Sequence, residues 1–272
     1  MMLIDSKTLK GFSVHAKDGE LGVVEDLYFD DESWGIRYFT VETGGWMGGR
    51  AVLISPISIT ETEIEAKQLR VSLTREQVRN SPPMDTQQPV SRQHEALYMG
   101  YYGYPYYWGG PMMWGSSYFP AALAIPSAAV ATVAVPHGDV SHRESADSHL
   151  RSTSAVSGYT IVAKDGEIGH VKGFVVDDSA WAIRYMEVAT KNWWPGKKVL
   201  VSPAWIDQVS WERSEVTVDL TREAMRSAPE YSEGMPVTRE YEDSLHKHYG
   251  LPPWWLHDQT ETRSALDLIG VR

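Results

Sequence analysis

Ala16-Lys17-Asp18-Gly19-Glu20 returns as Ala163-Lys164-Asp165-Gly166-Glu167, and the reading of this stretch decides the fold. Asp-Gly between two runs of strand-forming residues favours positive φ and a tight hairpin. Working outward, Gly11 matches Gly158, 147 positions on, and the same offset then holds without a gap. Gly22 matches Gly169, Asp30-Asp31 match Asp177-Asp178, and Trp34 matches Trp181. Ile36-Arg37-Tyr38 becomes Ile183-Arg184-Tyr185, Ser55-Pro56 becomes Ser202-Pro203, and Leu73-Thr74-Arg75-Glu76 becomes Leu220-Thr221-Arg222-Glu223. Arg92, Glu95, Tyr102-Gly103, Pro105 and Trp108 find Arg239, Glu242, Tyr249-Gly250, Pro252 and Trp255 in the same register. A gap-free match of this length is the mark of an internal duplication.

Each copy reads as short strands separated by turn residues. In the first, Phe12–Ala16, Leu21–Phe29, Trp34–Thr43, Ala51–Ile54, Ile57–Ile64 and Leu69–Leu73 are the expected strands. Pro56 ends or bends the fourth. Thr74 to Arg79 forms one helical turn, with Thr74 as N-cap and Gln77 closing a capping box; the second copy has Thr221 but Ala224, so the box is absent there. A short helix from about Ser91 to Tyr101 leads into an aromatic segment ending at Trp108. Short strands at this spacing with one helical turn suggest a small closed or partly closed barrel. The expected division is a first copy at 1–108, a connector at 109–154, a second copy at 155–256 and a tail at 257–272. Two small cores are expected rather than one large one. The polar end of the connector, His137 to Ser154, has the composition of a flexible linker.

Gly11-Phe12, Asp18-Gly19-Glu20-Leu21-Gly22-Val23-Val24-Glu25-Asp26-Leu27 and Asp30, followed by Ile36-Arg37-Tyr38 and Val52-Leu53-Ile54-Ser55-Pro56, resemble the PRC-barrel family. The resemblance covers about residues 8–82 and 155–229. It implies a mostly β chain of two tandem small PRC-type β-barrels, and a protein-binding or assembly role without shared catalytic residues. Family relatives include the cytoplasmic domain of the photosynthetic reaction-centre H subunit and the C-terminal domain of the ribosome maturation factor RimM. The expectation departs from both: neither the N-terminal membrane helix of the first nor the different leading barrel of the second is read in this sequence.

Composition narrows the chemistry. The formal net charge of −11 gives no basic face for nucleic acid. Without cysteine, disulfides, thiolate metal sites and thiol catalysis are absent, and a reducing, cytoplasmic location is the expectation. The longest apolar stretch, Ala121 to Val135, is shorter than the roughly 20 residues a bilayer needs and is interrupted by Pro126. Asp30-Asp31 and Asp177-Asp178 could suggest a cation site, but two adjacent acids supply too few ligands, and hairpin turns favour Asp. His246-Lys247-His248 faces Met99-Gly100-Tyr101 across the repeat, while His137, His142 and His149 lie in the connector, so no histidine set is shared. Gly44-Gly45 and Gly48-Gly49 lack the lysine and helix start of a phosphate loop. The expectation is therefore no enzyme, no metal and no cofactor. Arg37 and Arg184 read as outward arginines paired with a hairpin acid, or as contacts between the copies.

The aromatic segment admits two readings. As a clamp, its rings pack on the barrel, which suits the exchange of Tyr for Leu, Pro or Trp between the copies. As a binding arm, Tyr102, Tyr104, Tyr106, Tyr107, Trp108, Tyr249, Trp254 and Trp255 would meet a protein partner. The functional expectation is a self-associating scaffold or adaptor. An H-subunit-like accessory of a membrane electron-transfer complex and a RimM-like ribosome-assembly factor acting through a ribosomal protein are the alternatives.

Overall fold

The fold follows from one long, bent strand in each copy and from what occupies its two edges. The computed structural model describes residues 1–83, 90–124, 149–190 and 197–255. In the first copy, β1 (Leu3–Asp5) leads into the short helix α1 (Ser6–Leu9), then β2 (Ser13–Ala16), β3 (Gly19–Asp30), β4 (Ile36–Glu42), β5 (Ala51–Ile54), β6 (Ile59–Glu63) and β7 (Gln68–Val71). Helices α2 (Arg75–Arg79) and α3 (Arg92–Tyr102) complete it. The second copy repeats the order: β8 (Leu150–Ser152), α4 (Thr153–Val156), β9 (Thr160–Ala163), β10 (Gly166–Asp177), β11 (Ala182–Thr190), β12 (Lys198–Val201), β13 (Ile206–Ser210), β14 (Glu215–Val218), α5 (Arg222–Ser227) and α6 (Arg239–Tyr249).

The chain is mostly β. It forms two separate seven-stranded sheets, with paths β5-β4-β3-β2-β7-β6 and β12-β11-β10-β9-β14-β13. All pairings along these paths are antiparallel except β2 with β7 and β9 with β14. The described ladders trace open paths rather than closed rings.

Glycine explains the opening motif. A Cβ at Gly22 would stand 1.8 Å from the Glu42 carbonyl oxygen, and one at Gly169 would stand 1.9 Å from that of Ala189. Only glycine lets β3 and β10 cross their neighbours so closely. The Ser-Pro pairs start 3-10 turns: Ser55 Oγ accepts from Ile57 N at 3.3 Å, with Pro56 at the first position. The strand expected from Ile57 thus begins at Ile59. The Thr74–Gln77 capping box forms, and α5 has the Thr221 cap without it.

Two features were not legible as strands. β1 does not join its own copy: it pairs with the far end of β10, Leu3 opposite Asp177 and Asp5 opposite Val175. β8, within the stretch read as linker, pairs with the far end of β3, Leu150 opposite Asp30 and Ser152 opposite Tyr28. The exchange is reciprocal to the residue, for Asp178 N donates to Met2 O at 3.1 Å and Asp31 N donates to His149 O at 2.8 Å. Each arm fills the edge that β2 or β9 leaves vacant when it ends. The rest of His137–Ser154 up to residue 148, including His137 and His142, and the tail from residue 256 lie outside the described residues.

Between the arms, Ile36 N donates to Trp181 O at 2.7 Å and Ile183 N donates to Trp34 O at 2.8 Å. Trp34 and Trp181 adopt φ of 60° and 50° to present those carbonyls. Such a conformation costs a bulky residue on the order of 1 kcal/mol, which the hydrogen bonds offset. Phe29 meets Phe174 at 5.7 Å, and Trp181 packs edge-on against Phe39 at 4.9 Å. The expectation of two cores is therefore corrected: these rings join the copies, and one cluster of buried side chains runs through both.

Candidate interaction sites

Two sites emerge, the clamp at the end of each copy and the seam between them. The clamp is built on a buried carboxylate. Ser91 caps α3 and Gly103 ends it in the left-handed conformation, so Glu95 and Tyr98 fall on the inward face. Tyr98 Oη donates to Leu53 O at 3.0 Å and accepts from Ser55 N at 3.1 Å, which ties the helix to β5. Glu95 Oε1 accepts from Tyr38 Oη at 3.2 Å and from Tyr107 Oη, while Arg92 lies 3.2 Å from Oε2. In the second copy Glu242 Oε1 accepts from Tyr185 Oη at 2.9 Å and from Trp254 Nε1 at 2.8 Å, with Arg239 at 3.2 Å. Tyr107 and Trp254 occupy equivalent positions, so the duplication changed the ring but kept a donor to the acid. Burial pushes both carboxyls above the usual range, against the pull of these donors and of the arginines.

The arginines beside the clamps correct the outward reading. Arg37 and Arg184 are both buried. Arg184 does pair with the hairpin acid, its Nη2 2.9 Å from Asp177 Oδ2, and its guanidinium lies 3.8 Å from the Trp254 ring centre. Arg37 instead donates to Ser33 Oγ at 2.7 Å and stacks near Tyr107 at 3.9 Å and Trp114 at 4.6 Å. Its Nε and Nη1 have no hydrogen-bond partner. The physical reason lies in the aromatic environment: cation–π contact draws the guanidinium to ring faces. Trp114, from the stretch read as connector, is fully buried and donates to Ala180 O at 2.8 Å across the copies.

Asp30 and Asp177 act as turn residues. Asp30 Oδ1 accepts from Ser33 N at 2.9 Å, and Asp177 Oδ1 from Ser179 N at 2.9 Å. Among the described residues no three His, Asp or Glu side chains converge as for a metal ion. An open cavity of about 440 Å³ lies beside Arg37, Arg92, Tyr107, Trp108 and Met112.

Of the eight aromatic residues named from sequence, Tyr107 and Trp254 are buried in the clamps. Tyr102, Tyr104, Trp108, Tyr249 and Trp255 are half-buried against the core. Tyr106 is at the surface and stacks on Trp108 at 4.6 Å. Sequence reasoning missed two exposed apolar residues on α3, Leu97 and Tyr101, which are 57% and 41% exposed. Their spacing of four along a helix was the available signal.

The seam is polar at its ends. Asp26 accepts from Ser152 Oγ, from Thr153 Oγ1 at 2.7 Å and from Lys10 Nζ at 2.9 Å. Burial raises its pKa, but these donors together outweigh burial and hold the carboxyl below its ordinary value. At the other arm Lys7 Nζ reaches Glu187 Oε2 at 2.8 Å.

No helix among the described residues is long and apolar enough to cross a membrane. No curated protein matches the chain. Residues 2–78 match the family model of the PRC-barrel domain, a span from the arm β1 to Val78 in α2 that stops short of the clamp. The second copy carries the same motifs and strand order without being reached by that match. Such a domain points to a protein-interaction or assembly module. Residues 2–78 are thus a PRC-barrel domain.

Proposed function

We propose that the chain is a non-enzymatic scaffold or adaptor whose two PRC-type copies act as one body, self-associate, and hold a protein partner on the first copy. The observation that carries the partner face is an asymmetry between α3 and α6. Leu97 and Tyr101 are exposed on α3, Tyr101 with its hydroxyl donating to Gln77 O at 2.8 Å, whereas the equivalent exposed positions on α6 are Ser244 and His248. At these two positions the first helix is apolar and the second polar, while Gln93 and His94 are also exposed on α3. An apolar stripe with an aromatic anchor suits a protein interface. The buried ionisable groups support the same reading: Glu95, Glu242 and the Arg184–Asp177 pair are each engaged within the architecture.

The test is affinity capture from the source cells with the tagged full chain, alongside Leu97→Glu/Tyr101→Glu and Ser244→Glu/His248→Glu. A partner held by the wild type and the α6 variant but lost by the α3 variant is the expected result. Equal recovery by all three would remove α3 as the partner face. The identity of the protein decides the setting: a photosynthetic or respiratory complex would favour the H-subunit-like alternative, and ribosomal proteins the assembly-factor alternative.

A further inference from the structure

The two copies treat the same buried arginine differently. In the second copy, Arg184 donates from Nε and Nη2 to Asp177 Oδ2 at 3.2 and 2.9 Å, so its charge is met by its own turn. Asp30 is the equivalent acid in the first copy, yet Arg37 Nη2 is held by Ser33 Oγ at 2.7 Å instead. Asp30 Oδ1 accepts from Ser33 N at 2.9 Å and from Ser33 Oγ at 2.8 Å, and its Oδ2 lies 3.6 Å from Arg92 Nη2. One glycine accounts for the change. Gly35 is the equivalent of Ala182, and a Cβ at Gly35 would stand 2.9 Å from Arg37 Cζ and 3.1 Å from Nη1 and Nη2. The Arg37 guanidinium therefore lies over bare backbone, in a position that the Ala182 side chain closes to Arg184.

The result is a cation only 2% exposed whose Nε and Nη1 lack an acceptor. The Tyr107 and Trp114 rings answer its charge, but they leave those N–H groups unpaired, which is costly inside a protein. Arg37 also lines the open cavity of about 440 Å³, a volume in the range of small-molecule sites. The other charges of that wall are already answered. Arg92 is shared between Asp30 at 3.6 Å and Glu95 at 3.2 Å, and Glu32 is exposed, where water and salt screen it. Arg37 is left without a carboxylate of its own. Trp108 and Met112 add apolar surface to the same wall.

We propose that the cavity beside Arg37 binds a small monocarboxylic acid with an aromatic or aliphatic body. The carboxylate is the acceptor that Arg37 lacks, and the body lies against Trp108 and Met112. Asp30 and Glu32, in the same wall, disfavour a second negative charge, so a phosphate dianion is the poorer ligand. The site is independent of the partner face, because Leu97 and Tyr101 do not line the cavity.

The test is isothermal titration calorimetry on the full chain with benzoate, phenylacetate and hexanoate. Benzamide and inorganic phosphate serve as comparisons at matched ionic strength. The expected result is saturable binding of at least one acid, about tenfold or more tighter than either comparison. Gly35→Ala should push the guanidinium toward Asp30, as in the second copy, and weaken acid binding about tenfold. Met112→Glu should weaken it by a similar factor, by setting a carboxylate beside that of the ligand. Leu97→Glu/Tyr101→Glu should bind the acid as the wild type does. Arg37→Gln removes the charge itself; if that buried substitution does not fold, as judged by circular dichroism, the Gly35 and half-buried Met112 variants carry the test. Benzamide or phosphate binding as tightly as the acids would overturn the proposal. So would acid binding that is unchanged in both Gly35→Ala and Met112→Glu, or no saturable binding of any of the three acids up to about 10 mM.

Discussion

Gly35 and Ala182 face each other in an antiparallel bridge, and each is the other's equivalent in the repeat. The bridge therefore marks the centre of the two-fold relation between the copies, with the Trp34–Ile183 and Ile36–Trp181 hydrogen bonds on either side. A Cβ at Gly35 would lie 2.9 Å from Arg37 Cζ. Gly35→Val should lower the urea midpoint by the equivalent of about 1–3 kcal/mol, since the buried guanidinium has little room to move. Gly45, where a Cβ would meet no atom within 4 Å, should accept alanine with almost no change.

Tyr107→Phe and Trp254→Phe each delete a donor to a buried carboxylate while leaving an aromatic ring in place. Each should cost about 1–3 kcal/mol in chemical denaturation. If both variants unfold with the wild type, the clamps are held by ring packing alone and the acids contribute nothing to them.

Glu95 has a folded pKa above its ordinary value because burial disfavours the charge. The folded state then holds the proton more tightly than the unfolded state, so this group's contribution declines as pH rises from the ordinary value through the folded one. Glu95→Gln removes the titration. Its stability relative to wild type should improve as pH rises from about 4.5, its ordinary value, toward neutrality. Urea midpoints measured over that window check the sign, and an unchanging difference would exclude a titrating Glu95.

Asp26 runs the other way. Its folded pKa lies below the ordinary 3.8, so its stabilisation is full above that value and is lost as pH falls through the folded pKa. Wild type should exceed Asp26→Asn in stability at neutral pH, and the two should converge in acid. A gap that persists at low pH would mean that the carboxyl's hydrogen bonds to Ser152 and Thr153, rather than its charge, hold the arm.

The strands were legible where turn chemistry marked them. Asp18-Gly19, the glycine at 22 and Ser55-Pro56 each impose a local geometry, and the Thr74–Gln77 box placed α2 from four residues. A short helix from about Ser91 to Tyr101 was legible, and Glu95 aligned with Glu242, but neither the Ser91 cap nor the burial of the acid was. The arms were not legible because three-residue strands carry almost no periodicity, and their partners lie far away in sequence. Arg37 misled for a related reason: an arginine in a strand reads as a surface residue until the rings that cover it, Tyr107 and Trp114, are in place. Of the binding candidates, the aromatic segment drew notice by composition, while Leu97 stood out only once α3 had an outside.

The exchanged arms also set a timetable for synthesis. The first copy has all of β2 to β7 once Val71 has been made, yet its sheet waits for Leu150–Ser152, and β1 waits for the end of β10 at Asp177. At roughly 5–20 residues per second, that leaves the edge of β3 open for several seconds on every ribosome making the chain. During that interval neighbouring nascent chains on one message present the same open edge. A duplication that brings the completing strand on the same polypeptide limits the wait to the residues between Val71 and Leu150 and makes the correct donor the nearest one.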